Sequence, residues 1–242
     1  QNGNSWYDRF GRYAHEAFSS WYFAKAIEKI ASAGKALYPA LPLCMNTIVG
    51  EVRQQIGGQS YSSGAPVGRV LEIWQKGAPS IAAFGADIYQ EHKSGYLATC
   101  ESHARLGNPL FIPETGTGGE GFAINHIHAA ADYNAIGICG FGAESTLDGN
   151  GRLTEASQKV ADTMEIIRSM SPMLQKYGGT EKIFCVTQEE FQKLAYVKRK
   201  LYHITFYFTT LNEKGRPLGK NLRVCGKLAE NPDAFNQRGR AV

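Results

Sequence analysis

Along the chain, four short apolar runs each end in a polar side chain. Leu41-Pro42-Leu43-Cys44-Met45 ends at Asn46, and Ile81-Ala82-Ala83-Phe84 ends at Asp87 and Tyr89. Leu110-Phe111-Ile112 ends at Glu114, and Ile136 to Phe141 ends at Glu144. The runs are nearly unbroken rather than alternating, which predicts strands buried on both faces of a parallel sheet. An apolar strand that ends in an acid and then glycines is how a parallel barrel presents a carboxylate at its C-terminal rim. A single such run reads more readily as a loop acid; four in series predict a rim.

Helical periodicity accompanies the strands. Ala14 to Ala33 carries Phe18, Trp21, Tyr22, Ala26, Ile27 and Ile30 at three- and four-residue spacings, with Gly34 as the expected C-cap. Val67, Val70, Leu71 and Trp74 form a stripe over 67–76; further helices are predicted over 122–133 and 154–177, the last stopped by Gly178-Gly179. The alternation predicts an α/β fold with a parallel sheet. No GxGxxG opens a helix, which argues against a dinucleotide fold. After Gly179 the pattern changes. Lys182 to Thr187 and Leu201 to Thr210 read as strands, Asn212 to Gly215 as a turn and Leu222 to Cys225 as a returning strand. The expected organisation is 1–178 as four strand–helix units and 179–242 as the start of an antiparallel β-domain. The polar start, Gln1 to Ser5, with no strand before it, is expected to be a cut through a longer protein.

Composition narrows the picture. At 242 residues and 43% hydrophobic the chain can bury a sizeable core, and no apolar stretch is long enough to span a bilayer. Five scattered cysteines without a CxxC pair argue against a disulfide framework and a zinc site; Cys44 and Cys139, inside apolar runs, are expected to be buried. Residues 1–180 carry net −2 and 181–242 net +6. Lys198-Arg199-Lys200 is read as a solvated strand edge rather than a nucleic-acid contact, since no nucleic-acid-binding motif accompanies it.

Four segments together carry a resemblance: Ala31 to Lys35 running into Tyr38 to Pro42, Ile73 to Ile81, Ala86 to Tyr89, and Gly107 to Glu114. They resemble glycoside hydrolase family 35-type β-galactosidases, closest to the bacterial branch in which a small β-domain follows the barrel. The similarity covers about residues 5–178. It implies that the chain holds strands 5–8 of a (β/α)8 barrel, followed by an incomplete antiparallel β-domain. It also implies a retaining β-galactosidase-like activity with a carbohydrate substrate and no metal or organic cofactor. Counting strands as the family does, Glu114 takes the nucleophile position and Tyr89 donates to it. The acid/base Glu is expected upstream of Gln1, so the isolated chain is expected to be inactive. The family's bacterial members suggest export. A β-glucosidase- or β-mannanase-type enzyme and a non-catalytic carbohydrate-binding barrel remain alternatives.

Each remaining candidate has two readings. An amide such as Asn46 can bind sugar hydroxyls or cap the following turn. Asp87 binds a sugar or fixes its loop, and Glu144 binds a sugar or is a loop acid near Asp148. Trp6, Tyr7, Tyr61 and Phe141 are expected in rim loops, where a ring stacks on the apolar face of a pyranose; Tyr61 is the preferred one. Trp21 and Trp74 are expected in the core. His103, His126 and His128 lack the spacing of a triad or metal site. Asn212-Glu213 has the dipeptide expected at an acid/base, but falls in a predicted turn after the nucleophile and is rejected.

Overall fold

In the computed structural model of this protein, residues 5–49, 56–188, 192, 194–199 and 203–208 are described. The chain divides into two units, 1–184 and 185–242. The first unit runs α1 (Trp6–Phe10), α2 (Ala14–Leu37), β1 (Leu43–Thr47), α3 (Leu71–Gly77), β2 (Ile81–Ile88), α4 (Lys93–His103), β3 (Phe111–Thr115), α5 (Glu120–Asp132), β4 (Gly137–Gly140) and α6 (Glu155–Tyr177). Its strands form one parallel sheet in the order β1-β2-β3-β4. Each strand lies beside the next in sequence and the order never reverses, which is compatible with an arc of an α/β barrel. Within the second unit, β5 (Leu194–Lys198) and β6 (His203–Tyr207) pair antiparallel, from Leu194 opposite Tyr207 to Lys198 opposite His203.

The core lies between the sheet and its helices. Alternate residues of β2, Phe84, Ala86 and Ile88, are buried. Phe84 joins Ala24 of α2, Val67, Leu71 and Trp74 of α3; Ala86 and Ile88 join Tyr96 and Cys100 of α4, Ile112 of β3 and Ala129 of α5. The other face is different. Cys44, Asn46, Ile48, Tyr89, Cys139 and Phe141 are exposed. The expectation of strands buried on both faces holds in the middle of β2, where Ala83 and Gly85 are also buried, and is corrected for β1 and β4, and with them the expected burial of Cys44 and Cys139. An unbroken apolar run reports hydrophobicity, not whether both faces are covered.

The helices depart from their apolar stripes in two places. α2 continues through Gly34 to Leu37, and it buries Ala14, Ala17, Ser20, Ala24 and Ala31 rather than the large residues. Phe18, Tyr22 and Ile30 are exposed. The reason is close approach: a Cβ on Gly77 of α3 would lie 2.6 Å from the Ala24 Cβ, so only small side chains fit along this seam. α4 has no apolar stripe to announce it, because its buried face is Tyr96, Thr99, Cys100 and His103. The 67–76 stripe holds, with Val67, Val70, Leu71 and Trp74 all buried. α6 begins at its Thr154 N-cap and ends at Gly178, as the sequence predicts.

Two further expectations change. Residues 182–187 belong to no strand, while β5, unforeseen, pairs with β6. The predicted turn 212–215, the Asn212-Glu213 pair and the strand 222–225 lie outside the described residues.

Candidate functional site

Glu114 reaches the open face of the sheet through a break in strand alternation. Ile112 is buried against the helices, so strict alternation would send residue 114 to the same side. Between Ile112, which pairs with Ile138, and Thr115, which pairs with Gly140, β3 advances three residues while β4 advances two. This is a β-bulge at Pro113-Glu114. Proline fits there because it has no N–H to donate to the ladder of a central strand. Gly85 on β2 leaves room for the ring: a Cβ there would lie 2.7 Å from Pro113 Cδ. After the bulge Thr115 is buried again, and its hydroxyl donates to the Ile88 carbonyl at 2.8 Å, tying the ends of β2 and β3 together. Gly85, Pro113 and Thr115 are the positioning residues that sequence reading missed; the proline inside an apolar run was the available signal.

Three strand ends meet at Glu114. Asp87 is its register partner on β2. Asn46 of β1 donates through Nδ2 to Glu114 Oε1 at 3.1 Å and to Asp87 Oδ2 at 3.2 Å. The Tyr89 hydroxyl, one residue past the end of β2, donates to Glu114 Oε2 at 3.0 Å. Each carboxylate oxygen of Glu114 therefore has one donor, an arrangement that satisfies the ionised form while leaving the group on an open face. Phe141, just past β4, stands edge-on to Tyr89 with ring centroids 6.4 Å apart and is 63% exposed. Its backbone N–H donates to Thr115 O at 2.9 Å, which fixes the rim on that side.

The electrostatics follow from this crowding. Asp87 is pushed up to about 6, first by burial and then by the charge of Glu114, against the opposing hydrogen bond from Asn46. The Tyr89 hydroxyl is pushed up to about 12 by desolvation, by its hydrogen bond to Glu114 and by the charges of Glu114 and Asp87, so it remains a donor at any ordinary pH.

The raised Asp87 predicts a pH dependence of stability. The folded chain holds this proton more tightly than the unfolded chain, whose carboxyl titrates at its ordinary value of 3.8. The group's contribution is fully present below that value and is lost as pH rises through about 6. Asp148, Glu120 and Glu165 are shifted down and act with the opposite sign. The difference between wild type and Asp87→Asn isolates the effect. Urea midpoints of the variant relative to wild type are expected to rise between pH 4 and 7; a constant difference across that range would contradict the assigned shift.

The structure brings together Asn46, Asp87, Tyr89, Glu114 and Phe141. It does not bring in Tyr61, which is corrected from a rim platform to a core residue. Tyr61 is 6% exposed, and its hydroxyl is hydrogen-bonded to the buried Glu16. Arg69 lies 3.4 Å from the same carboxylate, with its guanidinium 5.4 Å from the ring centre. The ring that was to bind a sugar instead anchors its segment to α2. Trp6 and Tyr7 are likewise not in rim loops: they lie in α1, capped by Ser5 and Asp8, where Trp6 stacks on Phe10. Glu144 is exposed in a 3-10 turn, Ala143–Thr146, beyond β4. His103 and His126 are fully buried between sheet and helices, and burial pushes His126 down to about 4, so it stays neutral. Among the described residues no group of three His, Cys, Asp or Glu side chains could hold a metal ion, and no helix is long and apolar enough to cross a membrane.

Chemically, the cluster presents one doubly hydrogen-bonded carboxylate on an open sheet face, beside a tyrosine donor and an exposed aromatic edge. Compared with known proteins, the chain matches no family model and no curated sequence.

Proposed function

We propose that this chain carries the nucleophile side of a retaining β-galactosidase-like glycoside hydrolase active site, with β1 to β4 as strands 5–8 of a (β/α)8 barrel. In this reading Glu114 attacks the anomeric carbon and forms a covalent glycosyl ester, which water then hydrolyses. The acid/base carboxyl comes from a strand end other than these four. Asp87 does not fill that role: it stands beside Glu114 as its register partner on the adjacent strand, and both of its oxygens face the Asn46 amide. Tyr89 and Asn46 hold the attacking carboxylate, while Phe141 offers an apolar edge to the pyranose. Glu144, exposed in the turn beyond β4, is assigned in this reading to a sugar hydroxyl.

One observation carries the reading: the bulge at Pro113-Glu114 turns the acid onto the open face, where two donors from neighbouring strand ends meet it. The likeness of Ala86 to Tyr89 and Gly107 to Glu114 to family 35-type sequences adds the substrate class. The test is mechanism-based labelling of the full-length protein. A 2-deoxy-2-fluoro-β-galactoside with an activated leaving group should add one fluorosugar to the peptide that contains Glu114. Preferential labelling by the gluco or manno analogue would move the specificity to another β-glycosidase. No adduct with any of them would overturn the catalytic reading in favour of a carbohydrate-binding role.

A further inference from the structure

Asn46 has two N–H donors and two carboxylates to serve. Its Nδ2 lies 3.1 Å from Glu114 Oε1, 3.2 Å from Asp87 Oδ2 and 3.4 Å from Asp87 Oδ1. One hydrogen goes to each acid, and no donor among the described residues reaches Asn46 Oδ1. With both acids ionised, the opposite orientation of the amide would set its oxygen against two carboxylates, an all-acceptor cluster with no hydrogen to share. Each ionised acid therefore favours the same orientation of the amide, and the two together fix both Nδ2 hydrogens. Register enforces the pairing, since Asp87 and Glu114 are Cα partners on adjacent strands and Asn46 pairs with Gly85, two residues before Asp87.

We propose that Asp87 is a positioning residue: by accepting one Nδ2–H of Asn46 it holds the other on Glu114, and it leaves the amide oxygen as an acceptor for a ligand hydroxyl. This rests on Glu114 being the nucleophile. It differs from a role for Asp87 as a sugar ligand, because both of its oxygens already face the amide. The groups that act on Asp87 are Glu114 from β3 and the neutral Asn46 from β1; Tyr89, at the end of its own strand, feels the Asp87 charge. When Glu114 becomes an ester its charge disappears, the repulsion on Asp87 is relieved, and the amide keeps its place through Asp87 alone.

Two measurements on the full chain test this. The first is NMR titration of the Asn46 side-chain amide. Its signals should follow the ionisation of Asp87, with a step near pH 6 that is lost in Asp87→Asn. Absence of the step in wild type, or its persistence in the variant, overturns the proposal. The second is the rate of Glu114 labelling by the fluorosugar. Asp87→Ala should lower the maximal labelling rate about tenfold with little change in the concentration for half-maximal rate, as expected for loss of one orienting hydrogen bond. Asp87→Asn should recover much of that loss, because its side-chain oxygen still accepts. A raised half-maximal concentration with an unchanged maximal rate would make Asp87 a sugar ligand and overturn the proposal. The two failures are separable: wild type that shows the amide step but takes no label at Glu114 refutes the nucleophile and not the orientation of Asn46.

Discussion

Glu114→Ala is expected to lower hydrolysis of an aryl β-galactoside by the full-length protein on the order of 10⁶-fold, the scale seen when a nucleophile is removed while the rest of a site stays in place. The fold should tolerate the change. Glu114 is only partly buried, its two partners sit at the exposed rim, and the bulge is set by Pro113, Gly85 and Thr115 rather than by the acid itself. Loss of activity with an unchanged thermal transition would therefore report chemistry. Azide should restore part of the rate by entering the space left by the carboxylate and attacking from the same side, giving a glycosyl azide of inverted configuration. A variant that keeps a tenth or more of wild-type turnover would show that Glu114 forms no covalent bond. The same substitution also removes the like charge beside Asp87, so the rise in Asp87's proton affinity should shrink, leaving the part due to burial.

The second large effect is on stability. Trp74→Ala should cost about 3–5 kcal/mol, measured by urea denaturation with helical circular dichroism as the signal. Trp74 is 1% exposed, stands edge-on to Phe84 at 5.9 Å between ring centres, and donates its indole N–H to the Gly64 carbonyl at 3.0 Å. Truncation leaves a cavity under β2 and an unpaired carbonyl, two separate penalties. Trp74→Phe keeps most of the volume and loses the hydrogen bond, so it should cost roughly a third as much. Equal effects from the two variants would mean that the cavity collapses freely, against the close packing of α2 and α3 at Ala24 and Gly77.

How far the site could be read in advance depended on the type of signal. Asn46, Asp87, Tyr89, Glu114 and Phe141 were legible because each closes an apolar run, and parallel strands in chain order bring such ends to one edge. Tyr61 was misplaced because an aromatic in a Gly/Ser-rich loop reads as exposed; its partners Glu16 and Arg69 are 45 residues before it and eight after it, and no local pattern links them. α4 was not read because polar residues occupy its buried face, and the α2 stripe was misread because large apolar residues outweigh alanines in any periodicity.

The order of β1 to β4, the helices that carry an apolar stripe, and which residues stand at the ends of those strands were determined by the sequence alone, since local hydrophobic pattern and chain connectivity decide them. Which face each end points to, which acid shares a donor with which, and which aromatic is buried were decided only in the tertiary structure. These depend on one-residue register differences between strands and on how closely two helices approach, and such quantities arise only when distant parts of the chain meet.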